Sequence, residues 1–74
     1  MKIEFEDYGN EASVIITSTV FEFSRHNRAV YKVMSLVPRA VHRKSSAFIL
    51  KDYIYGNAAD LYQAYLTVKK EMKL

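Results

Sequence analysis

Residues 2–7, KIEFED, alternate in polarity. Ile3 and Phe5 fall on one side, and Lys2, Glu4 and Glu6 on the other, the pattern of a half-buried strand. The Gly-Asn of YGNE follows, a tight-turn signal. Beyond it ASVIITSTV is rich in β-branched residues, which suit a pleated surface. The two segments, 2–7 and 12–18, therefore predict an antiparallel hairpin.

The middle of the chain follows a helical period. At about 100° per residue, Arg25, Arg28, Lys32, Ser35, Arg39, His42 and Arg43 share one arc. Ala29, Val30, Val33, Leu36, Val37, Ala40 and Val41 fill most of the opposite side. Thr19 and Glu22, three apart, have the spacing of a capping box. Pro38 interrupts this stretch, yet the phase runs through it. The spacing thus predicts a helical segment over about 20–44, kinked near Pro38 or restarted with Pro38 in its first turn. The competing pattern is a hairpin of VFEF and AVYKV around SRHNR. Its alternation fails at Met34–Val37, where apolar residues face both ways.

AFILKDYIY, 47–55, reads as a third strand. Phe48, Leu50 and Ile54 share one face, and Ile49, Lys51, Tyr53 and Tyr55 the other. Asp52 falls on the apolar face, so a bulge or an exposed end is expected there. Asn57 is suited to cap the final helix, predicted over 58–73. Its apolar stripe is Ala58, Leu61, Tyr65, Val68 and Met72.

These elements make an α+β fold: a small antiparallel sheet packed against a basic helical segment and a C-terminal helix. The expected core is Ile3, Phe5, Val14, Ile16, Val30, Val33, Val37, Phe48, Leu50, Leu61, Tyr65 and Val68. With 74 residues, the chain is read as a single small domain, 1–74. So short a chain has a thin stability margin, and a homodimer is expected.

Composition narrows the chemistry. No cysteine is present, so disulfides and thiolate metal sites are excluded. A cytoplasmic protein is expected, as the start of the chain has no secretory pattern and no apolar run approaches a membrane span. No membrane partner is expected either, because the apolar side of the basic segment is mostly Val and Ala.

Charge is unevenly placed. Residues 1–23 hold one lysine against five acids, whereas 24–44 hold six Arg/Lys and no acid. A cationic arc of this kind has the footprint of a phosphate-contacting surface. The candidate nucleic-acid or partner-binding residues are Arg25, Arg28, Lys32, Arg39, His42, Arg43 and Lys44. Lys51, Tyr53 and Tyr55 form a second candidate, a stacking platform or interface. No helix-turn-helix, KH, RRM or zinc-finger signature accompanies them.

Catalytic chemistry finds little support. Glu22 and His26 stand four apart and read as a surface pair on one helix face, since nothing nearby completes a metal or acid–base site. His42 lies among cations in the sequence, a poor setting for a metal or a general acid. Ser45 and Ser46 lack a matched base. The sequence therefore implies no enzyme, no cofactor and no metal. It points to a non-enzymatic binding module for nucleic acid or a nucleic-acid-handling complex. The alternative is a small regulator or inhibitor, of the kind phages and mobile elements carry, that occludes a host protein.

Overall fold

The computed structural model describes residues 1–46 and 48–74. Four strands, β1 (Lys2–Asp7), β2 (Glu11–Thr19), β3 (Val41–Ser46) and β4 (Ile49–Asn57), form one antiparallel sheet in the order β1-β2-β4-β3. Two helices, α1 (Phe23–Leu36) and α2 (Ala58–Glu71), cover one of its faces. The α+β class follows from the sequence as expected.

The first hairpin forms where predicted. Gly9 has a φ of 102°, a conformation that suits glycine. Its N–H donates to Asp7 Oδ1, and the N–H of Tyr8 donates to the Glu11 carbonyl. At the other end of β2 a single 3-10 turn, Val20–Glu22, leads into α1. Glu22 accepts from the Thr19 N–H, one arm of the expected capping box. It also takes the amino group of Met1 at 2.8 Å. That hydrogen bond, reinforced by the Thr19 N–H, holds the Glu22 carboxyl below the usual range.

The helical segment is shorter than its phase suggests. α1 spans Phe23–Leu36, so the alternative hairpin does not form. Val37 leaves the helical region (φ −129°, ψ 75°), as a residue before proline is pushed to do. Its N–H still caps the helix on the Val33 carbonyl, and the Ala40 N–H closes a turn on the Val37 carbonyl. Pro38 therefore occupies a reverse turn instead of kinking a helix. Residues 41–46, expected to be helical, form β3. The reason is tertiary: β4 offers an open ladder, and 41–46 satisfy it from Val41↔Tyr55 to Ser46↔Leu50.

The core lies between the sheet and the helices. Ile3 from β1, Ala12, Val14 and Ile16 from β2 and Ile54 from β4 meet Ala29, Val30 and Val33 of α1 and Leu61, Ala64 and Val68 of α2. Val37 and Leu50 are buried as expected, and Phe5 and Tyr65 pack at the margin. Phe48 is the exception, 91% exposed beside the turn into β4. The helix-facing side of that strand begins at Leu50, so Phe48 stands before the sheet starts. Ala47, the first residue of the predicted third strand, lies outside the described residues.

Gly56 allows a close approach between layers. A Cβ there would lie 3.4 Å from Ala40 Cβ and 3.6 Å from Leu61 Cδ1. Immediately afterwards Asn57 caps α2, accepting from the Asp60 N–H at 3.1 Å.

Candidate functional site

Strand pairing gives the two faces of the sheet different chemistry. On the helix side, Leu50, Asp52 and Ile54 of β4 alternate inward, so Asp52 enters the core 1% exposed. The strand neither bulges nor opens there. Three side chains accommodate the charge instead. His26 Nε2 donates to Asp52 Oδ1 at 2.7 Å, and His42 Nε2 donates to Oδ2. His26 Nδ1 meets Ser18 Oγ at 2.8 Å. Burial alone would raise the Asp52 carboxyl, but the hydrogen bonds from His26 and His42 outweigh it and hold it below the usual range.

This network corrects two expectations. His26 does not pair with Glu22, which is turned toward Met1 and Arg25. His42 is not left among cations, because β3 carries it to an acid ten residues away. The set Ser18–His26–Asp52 has the composition of a nucleophilic triad. Its hydroxyl belongs to a residue only 3% exposed, however, and its histidine is 1% exposed. In this conformation a substrate has no approach to either. The two histidines also bond separate oxygens of one carboxylate instead of converging on a point. Among the described residues no group of three or more such side chains is arranged to hold a metal ion.

Among the described residues, no helix covers the other face of the sheet. Its rows follow from the register: Lys2–Thr17–Lys51–Ser45, Glu4–Ile15–Tyr53–Arg43 and Glu6–Ser13–Tyr55–Val41. Tyr53 and Tyr55, two apart on β4, hold their rings parallel within 8° at a centroid distance of 6.2 Å. Lys51 lies over the Tyr53 ring at 5.7 Å. Arg43 is the cross-strand partner of Tyr53. One end of this stripe opens on a concavity lined by Thr17, Ser45, Phe48, Ile49 and Lys51. A second, lined in part by Arg39, Val41 and Tyr55, closes the other end.

The predicted cationic arc is thus divided among three places. Arg25, Arg28 and Lys32 remain on α1, where two of them reach across to the end of α2. Arg25 donates to the Met72 carbonyl at 2.7 Å, and Lys32 pairs with Glu71 at 3.7 Å. Arg39 sits in the Pro38 turn. His42 and Lys44 point to the helix side of β3, and Arg43 points to the open side. The fold therefore separates the seven residues and brings Arg43 to Lys51, Tyr53 and Tyr55.

Ser18 and Asp52 were absent from the sequence-derived site. Asp52 left one signal, an acid on the apolar face of a strand, which must either break the strand or find buried partners. The chain has two histidines in all, and both answer it. Comparison with protein-family models, with curated proteins and with solved structures finds no match for this chain, so its chemistry is read from its own geometry.

Proposed function

We propose that this protein is a non-enzymatic binding module that engages single-stranded nucleic acid on the open face of its sheet. The observation that carries the reading is the Tyr53–Tyr55 pair, two parallel rings on the face opposite the helices, flanked by Arg43 and Lys51. Rings 6.2 Å apart cannot both stack on neighbours in a duplex, whose bases rise by about 3.4 Å. They suit bases splayed from an extended strand, each taken by one ring. Arg43 and Lys51 lie where phosphates of such a strand would run, with Arg39 beyond Tyr55. Compared with the cationic arc of the sequence, this surface is smaller and more aromatic. It favours unpaired strands over duplex.

Fluorescence anisotropy with labelled single-stranded DNA and RNA tests the reading. Binding is expected, with log affinity falling as log salt rises by about 0.7 per phosphate contact. Tyr53→Ala and Tyr55→Ala are each expected to cost about 1–3 kcal/mol. Absence of binding to both nucleic acids at low salt, or tyrosine variants that bind like the parent, would overturn it.

One further observation favours a second reading, occlusion of a partner protein. Phe21 is 95% exposed and Phe48 91%, and Val20 and Ile49 beside them are also exposed. The pairing Thr19↔Ile49 places these segments at the same end of the sheet. Exposed aromatics of this kind anchor protein interfaces. A partner retained stoichiometrically from nuclease-treated lysate, and lost with Phe21→Ala and Phe48→Ala, would favour that reading over nucleic acid.

A further inference from the structure

The two edges of the sheet carry opposite charge. β1 presents one lysine against Glu4, Glu6 and Asp7, and β3 presents Arg43 and Lys44 with no acid. Each strand pairs on its inner side alone, so each leaves a row of backbone N–H and C=O groups facing outward. Charged edges usually deter pairing. Here each edge repels a copy of itself, since acids would meet acids along β1 and cations would meet cations along β3. Neither edge repels the other.

Topology makes the two edges geometrically compatible. Every neighbouring pair is antiparallel, and the number of strands is even. β1 and β3 therefore run in opposite directions. A second copy in the same orientation lays its β1 antiparallel against β3 of the first, with the helices of both on the same side. The rows then continue across the junction. The row Glu4–Ile15–Tyr53–Arg43 begins with an acid at one edge and ends with a cation at the other. Its continuation sets Arg43 beside Glu4 of the next copy. The helix layer agrees with this stacking. α2 packs on β1, β2 and β4, and α1 on β2 and β4. Tyr62 of α2 packs edge-on against Phe5 of β1 and is nearly half exposed. Leu66, one turn on, is similarly exposed. A docked β1 would bring this flank beside the helix side of β3, which carries His42 and Lys44.

We infer that the chain associates with itself head to tail, the acidic edge β1 of one copy pairing with the basic edge β3 of the next. Such an interface is heterologous, so it propagates or closes into a ring and does not stop at a two-fold dimer. The twist of the sheet turns each successive copy, which curves the assembly. One strand pair is a small interface, so the association is weak and depends on concentration. It shares Arg43 with the nucleic-acid reading but does not rest on that reading, and it is tested without nucleic acid.

The test uses sedimentation velocity on the full chain and two charge-reversed variants. One carries Glu4→Arg with Glu6→Arg, and the other Arg43→Glu with Lys44→Glu. The parent is expected to gain mass with concentration and to return to monomer at 1 M salt, where charges are screened beyond about 3 Å. Each variant alone has edges of like sign and should stay monomeric. Mixed, the two regain complementary edges and should assemble as the parent does, which also shows that both are folded. A parent that stays monomeric up to millimolar concentration would overturn the inference. So would a variant that self-associates alone, or a mixture that fails to assemble while both variants keep the parent's circular dichroism.

Discussion

At the scale of single residues, Asp52 decides most. A carboxylate 1% exposed is tolerated because both oxygens accept from imidazoles, and the second nitrogen of His26 meets Ser18. Every buried side-chain polar atom among the described residues has a partner. Removing the acceptor strands the rest. Asp52→Ala is expected to cost about 3–5 kcal/mol in urea denaturation, a large share of what a domain of this size has. His42→Ala, at a side chain one-third exposed, should cost less, about 1 kcal/mol, since water can replace part of its contact. The same bonds set a pH dependence. The carboxyl of Asp52 is lowered on folding, so it stabilises the fold above its unfolded value of about 3.9. That contribution is lost as pH falls from there through the folded value. Acid titration by circular dichroism should show the parent losing stability below about pH 4 more steeply than Asp52→Ala. Parallel curves would remove Asp52 from the account.

At the scale of elements, local chemistry was legible wherever it sufficed. The first hairpin, the Asn57 cap and the stripe of α2 were all readable from residues 2–18 and 57–68, because turn residues and periodicity act over a few positions. Two substitutions check them. Asn57→Ala should cost about 1 kcal/mol and Asn57→Asp little, because the aspartate oxygen can still accept from the Asp60 N–H. Gly9→Ala should cost about 1–2 kcal/mol, since φ of 102° strains any residue with a Cβ. Urea midpoints at constant slope measure both. The stretch 37–46 was not legible. Val37, Ala40 and Val41 keep a helical phase with α1, while VHRKSS alternates only weakly as a strand. The open ladder of β4 resolved that ambiguity, and no property of 41–46 alone could. Phe48 was misread for a related reason: period-two counting placed it on the core face, but the strand begins only at the next residue, Ile49.

At the scale of the molecule, the proposed activities occupy different parts of one sheet and meet at Arg43. The tyrosine platform lies on its open face and the assembly surfaces at its edges. Salt weakens both, so salt alone does not separate them. Substitution does. Tyr53→Ala should reduce oligonucleotide affinity and leave the sedimentation of the free protein unchanged. Glu4→Arg with Glu6→Arg should abolish self-association without weakening oligonucleotide binding. If the variants exchange these effects, the assignment of face and edge is wrong. In an assembled row the platform would recur once every four strands along a continuous face. Among the described residues no helix is long and apolar enough to cross a membrane.

The sequence by itself determined the class of fold, the first hairpin, the capped final helix and the presence of a cationic segment beside an acidic one. These depend on near neighbours and on the ratio of apolar to polar positions. Tertiary structure alone decided where the charges went. It ended α1 before Pro38, turned 41–46 into an edge strand and divided seven residues of one predicted arc among a helix, a turn and two sides of a sheet. It also gathered Ser18, His26, His42 and Asp52, separated by up to 34 positions, into one buried network. The physical reason is common to all of these. A strand is completed by a partner and a buried charge by a counterpart, and both lie far away along the chain.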